Sequence, residues 1–296
     1  MAKERALVFG GGGTVGVAWQ LGLAAGLGDG GVDVTSADFI LGTSAGAFAG
    51  AQLTCWPDAA ALAQAQIALG RRESAQLRDP NTFRPPQVDL APYMRFYAER
   101  PSDRPPPSEL MKKLGLAALN AKTLPEEAFL RYFAALADRS CNWSERFACT
   151  AVDASSGEFK LWTRADRAPL ASAVAASCAV PGALPPISIG DRKWMDGGVR
   201  SSTNADLAAG YRRVLVVAVT AGDEKDVRST VLLKTLERER AAIDAAGGTS
   251  AVVTPDRASR EAFGADPMIP THRAEVTEAG IAQGRREAER LRAFWN

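Results

Sequence analysis

Apolar positions along the chain fall into two kinds of stretch: short unbroken runs that end at glycine or a polar turn, and longer stretches with helical spacing. Arg5 to Phe9 is a short apolar run entering glycines, which predicts a buried strand. Gly16 to Leu27 reads as a mostly apolar helix, Phe39 to Thr43 as a second strand and Ala45 to Leu53 as a second helix. Further strands are predicted at Arg146 to Asp153, Glu158 to Thr163, Lys193 to Met195, Arg213 to Val219 and Ala251 to Val253. Helices are predicted over Leu232 to Ala246 and Glu275 to Phe294. Strands alternating with helices predict an α/β fold, a three-layer α/β/α sandwich around a largely parallel sheet.

The stretch from about Pro57 to Ser140 has a different texture. Its helix-like pieces (Ala59 to Leu69, Leu90 to Glu99, Glu109 to Leu119, Glu126 to Ala137) are interrupted by Pro80, Pro85, Pro86, Pro101 and Pro105-Pro106-Pro107, and no strand is evident. This predicts a helical insertion after the second helix, with a stiff extended link in its middle. It reads equally well as a cap over a site or as a helical layer that only covers the sheet.

Three uncharged stretches, Ala6 to Gly28, Phe39 to Pro57 and Pro169 to Gly190, are about as long as a membrane-spanning helix, ~20 residues. Glycines crowd the first, Gly42 breaks the second, and Pro181, Pro185 and Pro186 break the third, so all three read as buried strand–loop–helix units. Lys3, Glu4 and Arg5 lead straight into a strand with no cleavable leader, which predicts a cytoplasmic location. Lys and Arg number 35 against 34 Asp and Glu, so no charge excess points to nucleic acid as a partner. Cys55, Cys141, Cys149 and Cys178 show no CxxC spacing. They are expected to be small buried hydrophobes in a reducing compartment, without a disulfide framework, metal or redox pair.

Candidate chemistry sits in three motifs. Gly42-Thr43-Ser44-Ala45-Gly46 fits GxSxG, a weak pattern alone that gains from its place between a predicted strand and a predicted helix. There, Gly42 and Gly46 permit a tight turn that exposes Ser44 as a nucleophile beside helix N-terminal amides; the bland alternative is an N-capping serine. The second motif, Gly10 to Gly16, frees backbone N–H groups for an anion. As Gly11-x-Gly13-x-x-Gly16 it is a dinucleotide fingerprint; as an oxyanion loop, Gly11, Gly12, Gly13, Thr14 and Gly16 serve an intermediate on Ser44. The nucleotide reading wants an acid at the end of the second strand, where GTSAG stands instead.

The third element is a base for the serine. His272, within Pro270-Thr271-His272, is the one histidine, so a Ser-His-Asp esterase must use it. The alternative base is a carboxylate in Asp-Gly-Gly, which occurs at Asp29 and at Asp196. Asp29-Gly30-Gly31 directly follows a helix and reads as its C-terminal turn. Asp196-Gly197-Gly198 follows a strand, where glycines let another loop approach closely, and Asp196 is the candidate base.

These motifs, in this order, resemble the patatin-like phospholipases. Ala176-Ser177-Cys178-Ala179-Val180-Pro181 through Pro185-Pro186 is similar to that family's Ala-Ser-x-Ala-x-Pro block. The resemblance spans about residues 6 to 210 as the catalytic domain, with 211 to 296 completing it by α/β pattern only. It implies a serine lipid acyl hydrolase with a Ser44–Asp196 dyad, an oxyanion held near Gly12, Gly13 and Thr14, and no metal or cofactor. A lipid or acyl-ester substrate follows, with transient membrane-surface contact as its corollary. Two departures stand out: Val15 replaces the usual Arg or Lys, and of the usual Asn-x-Pro after Asp-Gly-Gly only Asn204 remains.

Overall fold

The computed structural model describes residues 3–77, 91–138, 141–220, 228–264 and 272–296. Pro80, Pro85, Pro86, Leu90, Ser140, Pro270 and Thr271, which enter the expectations above, lie outside them. Among the described residues, eight strands form one sheet: β1 Arg5–Phe9, β2 Phe39–Gly42, β3 Phe147–Asp153, β4 Phe159–Thr163, β5 Ile187–Ile189, β6 Arg192–Asp196, β7 Arg213–Val217 and β8 Thr249–Val253. Their order is β5-β6-β3-β2-β1-β7-β8, with β4 also paired to β3. The β3-β2-β1-β7-β8 part is parallel, while β4, β6 and β5 run antiparallel to their neighbours.

β1 shows how the layers arise. All of Ala6 to Phe9 is buried, so hydrophobic content alone does not say which way each side chain points. The pleat decides. Leu7 and Phe9 join the larger core with helices α1 (Gly13–Asp29), α2 (Ala45–Cys55), α7 (Leu170–Ser177) and α10 (Arg273–Trp295). Ala6 and Val8 face the opposite core, with Leu236 and Ile243 of α8 (Ser229–Ala245). A sheet covered by helices on both faces is the three-layer sandwich that the alternating pattern predicts. In the described residues no helix is long and apolar enough to cross a membrane. The glycines of α1 have a packing use instead: a Cβ on Gly22 or Gly26 would lie 2.3 or 2.1 Å from a carbonyl oxygen of α10.

The helical stretch after α2 divides between the two faces. α3 (Ala59–Leu77) packs with α1 and α10. α4 (Ala91–Glu99) and α5 (Ser108–Leu119) pack around Val152, Met195 and Val199, on both sides of Asp196. The predicted helix from Glu126 to Ala137 is α6 (Glu126–Leu130) followed by a 3-10 segment, Arg131–Ala137. The tighter winding puts Phe133 and Leu136, three residues apart, together in the core. Pro169 to Gly190, expected as strand–loop–helix, has the opposite order: α7 comes first, the prolines form the loop, and β5 follows; α9 (Arg257–Phe263) is too short for the sequence pattern to single out.

The cysteine expectation needs correction. Cys55, at the end of α2, is disulfide-bonded to Cys141, just before β3, with Cα atoms 4.9 Å apart. Their separation of 86 residues carries no local signal, because only the packing of α2 beside β3 brings the two together. The bridge spans the two ends of the helical stretch. Cys149 and Cys178 are free.

Candidate active site

β2 ends in a turn that leaves Ser44 at φ 55° and ψ −123°, a conformation that non-glycine residues rarely adopt. The neighbouring backbone imposes it. A Cβ on Gly42 would stand 2.4 Å from the Ala47 Cα, and one on Gly46 would stand 2.0 Å from the Phe9 carbonyl oxygen. Neither glycine can be replaced without moving main chain. The Ser44 amide donates to Ser177 Oγ at 3.0 Å, and Cys178 Sγ donates to the Ser44 carbonyl at 3.1 Å. The serine therefore sits at the N-terminus of α2 with its own backbone groups already engaged.

Asp196 reaches the same place through strand register. One edge of β3 is covered by β4 along Ala148 to Val152, so β2 and β6 must share the other. β2 pairs Gly42 with Cys149, and β6, running antiparallel, pairs Asp196 with Ala151. The C-terminal ends of β2 and β6 thus point at each other across Thr150. Close packing fills the junction, since a Cβ on Gly197 would lie 2.1 Å from Thr150 Oγ1. Asp196 is buried and its Oδ1 accepts from the Gly198 amide at 2.6 Å. Burial pushes its carboxyl up to about 7, against the opposing effect of the nearby Ser44 hydroxyl and of the Gly198 amide. A carboxylate that poorly solvated is a far better proton acceptor near neutrality than a surface aspartate.

The glycine loop lies against the serine: a Cβ on Gly11 would come within 3.3 Å of the Ser44 Cβ. The loop is shorter than the sequence suggests, because α1 already begins at Gly13. This divides the five predicted anion-binding residues. The Gly11 amide donates to the Ser202 carbonyl at 2.8 Å and the Gly16 amide to Gly12 at 3.0 Å, so neither is available to an oxyanion. Among the described residues no acceptor is found for the amides of Gly12, Gly13 and Thr14, which form the open first turn of α1. Val15 is fully buried in the core.

Other residues join these parts without having stood out by their chemistry. Ser177 and Cys178 hold Ser44, while the Ala179 carbonyl accepts from the Asp196 amide at 2.9 Å, so the Ala-Ser-Cys-Ala block touches both. Thr43 and Thr150 share a hydroxyl hydrogen bond of 2.9 Å behind the site. Asn204 Nδ2 reaches Thr43 Oγ1 at 3.1 Å and the Gly197 carbonyl at 3.3 Å. Tyr93 of α4 approaches from the helical stretch; burial, then Tyr97 and Asp196, push its phenol up. His272 is exposed at the N-cap of α10, against Gly264, and among the described residues no hydrogen bond links it to Ser44 or Asp196. Nor do the described residues contain a cluster of three metal-ligating side chains.

The family model of patatin-like phospholipases matches residues 7–209, more than half of the chain. The chain belongs to the patatin-like phospholipase family. That membership suggests lipid acyl hydrolase activity. Its matched span runs from β1 through the segment that follows Asp196 and takes in Ser44, the glycine loop and Asn204. Among solved structures, VipD from Legionella pneumophila is similar, with 13% identity, TM-score 0.48, and coverage of 97% of this chain and 67% of that one. The type III effector ExoU is similar at 12% identity and TM-score 0.36, over 97% of this chain. This chain spans 54% of the length of ExoU. No curated protein matches the sequence.

Proposed function

We propose that the chain is a serine lipid acyl hydrolase that works through a Ser44–Asp196 dyad. The observation that carries this is the convergence of the buried Asp196 carboxyl, at the end of β6, with a serine on a strained strand-to-helix turn at the end of β2. Ionised Asp196 removes the Ser44 proton as Oγ attacks the acyl carbonyl carbon. The amides of Gly12, Gly13 and Thr14 hold the resulting oxyanion. The proton passes from Asp196 to the departing alcohol, leaving an acyl-enzyme. Water, deprotonated by Asp196, then attacks the acyl carbon, and Asp196 returns that proton to Ser44 Oγ as its bond to the acyl carbon breaks and the free acid leaves. Burial and close positioning compensate for a carboxylate's weakness as a base toward a serine hydroxyl.

The substrate class is a lipid acyl ester, reached at a membrane surface by transient contact. Labelling with a fluorophosphonate, followed by mapping of the modified residue, tests the nucleophile. Modification is expected at Ser44; folded protein that stays unlabelled there rules the reading out. The dyad also predicts that His272→Ala keeps its activity on a short acyl ester to within about threefold, a small fraction of the ~10²–10⁴-fold worth of a general base. A loss as deep as that of Ser44→Ala would put the base at His272 instead.

A further inference from the structure

Segment 201–205 touches all three parts of the site. The Ser202 carbonyl accepts from the Gly11 amide of the glycine loop. Asn204 lies between the turn that carries Ser44 and the turn that follows Asp196. It is fully buried and adopts φ 52° and ψ 32°, the left-handed region that asparagine tolerates better than most residues. Its Oδ1 accepts from Arg200 Nη1 at 2.7 Å. Its Nδ2 faces four acceptors: the Ser201 carbonyl at 2.7 Å, Thr43 Oγ1 at 3.1 Å, the Gly197 carbonyl at 3.3 Å and Thr150 Oγ1 at 3.5 Å. Arginine can only donate and carbonyls can only accept, so the network fixes which way the amide points.

The proton count gives the network a direction. An amide nitrogen has two hydrogens: the nearest acceptor, the Ser201 carbonyl, takes one, and Thr43 Oγ1 and the Gly197 carbonyl share the other. Thr43 Oγ1 then has its own hydrogen free for Thr150, the residue of β3 that lies between the ends of β2 and β6. Segment 201–205 is itself anchored from α8. Buried Glu239 accepts from Thr203 Oγ1 and, at 3.0 Å, from the Ala205 amide. The Ser201 hydroxyl oxygen accepts the amides of Thr203 and Asn204 at 3.2 and 3.1 Å.

We propose that Asn204 is a positioning residue, which through Thr43, Thr150 and Gly197 sets the Ser44 turn and the Asp196 turn in the register that the hydrolytic reaction needs. The role rests on the Ser44–Asp196 reading above. Thr43 is the residue immediately before the serine and Gly197 the one immediately after the aspartate, so one side chain holds both turns at a single residue's remove. An error of ~1 Å between reacting groups costs about 100-fold in rate, and Asn204 is a side chain outside both turns that reaches each of them.

Two substitutions separate this role from the fold. Asn204→Gly keeps the left-handed backbone at no steric cost and removes the amide. Asn204→Asp keeps the shape and the bond to Arg200 but turns the donor into an acceptor facing carbonyl oxygens. Both are measured for thermal unfolding, for the rate constant of fluorophosphonate labelling at Ser44, and for kcat and KM on a short acyl ester well below Tm. The expected result is folded protein with labelling and kcat down about 100-fold and KM little changed. Thr43→Val, similar in shape, removes only the link to the serine turn and is expected to slow labelling by about fivefold to tenfold. Wild-type labelling rates in folded Asn204→Asp and Thr43→Val overturn the role, whether or not Asn204→Gly folds. If wild-type Ser44 is itself unlabelled, the hydrolase reading fails, and this role with it.

Discussion

Asp29-Gly30-Gly31 ends α1 at the surface, where the Asp29 carboxylate pairs with Arg285 at 2.8 Å and both side chains stand in solvent. Asp196-Gly197-Gly198 ends β6 in the interior, with its carboxyl hydrogen-bonded to the Gly198 amide and facing the Ser44 turn. The glycines differ as much as the acids. Gly31 is needed for its backbone, at φ +80°, and a Cβ there would meet only the end of the Arg292 side chain. Gly197 has an ordinary backbone in a 3-10 turn and is needed for space, because Thr150 occupies the place of a Cβ. One tripeptide thus serves as a helix stop in one place and as a buried turn facing Ser44 in the other. What closes over it makes the difference: solvent and a flexible arginine for the first, β3, α7 and the serine turn for the second.

The largest expected effect is on activity. Asp196→Asn should lower kcat/KM on a short acyl ester by about 10²–10⁴-fold, the usual worth of a general base, while Asp29→Asn stays within about twofold. Equal losses from the two would erase the distinction. Stability should move the other way at Asp196. Its folded-state pKa of about 7 lies above the unfolded value of ~3.9, so the folded protein binds the proton more tightly. The carboxyl therefore favours the fold at low pH, and that advantage is lost as pH rises from about 4 through about 7. Asparagine mimics the protonated acid at every pH. Asp196→Asn should unfold at higher temperature than wild type above pH 7, by roughly 4 kcal/mol at most, and converge with it below about pH 4. A thermal series across pH checks the sign.

Next in size are the glycines. Gly197→Ala forces a methyl into Thr150 and should cost about 1–3 kcal/mol of stability along with most of the activity. Gly31→Ala should cost about 1 kcal/mol, the penalty of a left-handed alanine, with activity retained. Chemical denaturation with a parallel esterase assay separates the two. The smallest effect belongs to the surface pair: Asp29→Asn should lower stability by at most ~1 kcal/mol at low salt and by less at high salt. A larger or salt-independent loss would mean that the first Asp-Gly-Gly is more than a solvated helix end.

The two motifs also mark how far sequence reading goes. Asp29 follows an apolar helix and Asp196 a strand, and that local difference sufficed to choose Asp196 as the candidate base. Strand-to-helix context likewise singled out Ser44, because the glycine pair at 42 and 46 is the local requirement of a tight turn. The anion-binding loop was legible only in outline. Gly11 and Gly16 look the same as Gly12 and Gly13 in sequence, and only the backbone partners that Gly11 finds in Ser202, and Gly16 in Gly12, remove them as donors. Ser177 and Asn204 came to notice only as positions of the family's motifs, and Thr150 carries an ordinary polar side chain with no spacing signature of its own.

The amino-acid sequence by itself determined the α/β alternation and the tight strand-to-helix turn at Ser44, and it separated the two Asp-Gly-Gly copies by the helix or strand before each, since all of these depend on periodicity or on glycine within a few residues. Tertiary structure alone decided that β2 and β6 meet end to end on one edge of β3, that Cys55 bonds Cys141, and that Asn204 joins the serine and aspartate turns. Those features depend on strand order and register between residues far apart in the chain, and no local pattern encodes which edge of which strand will be free.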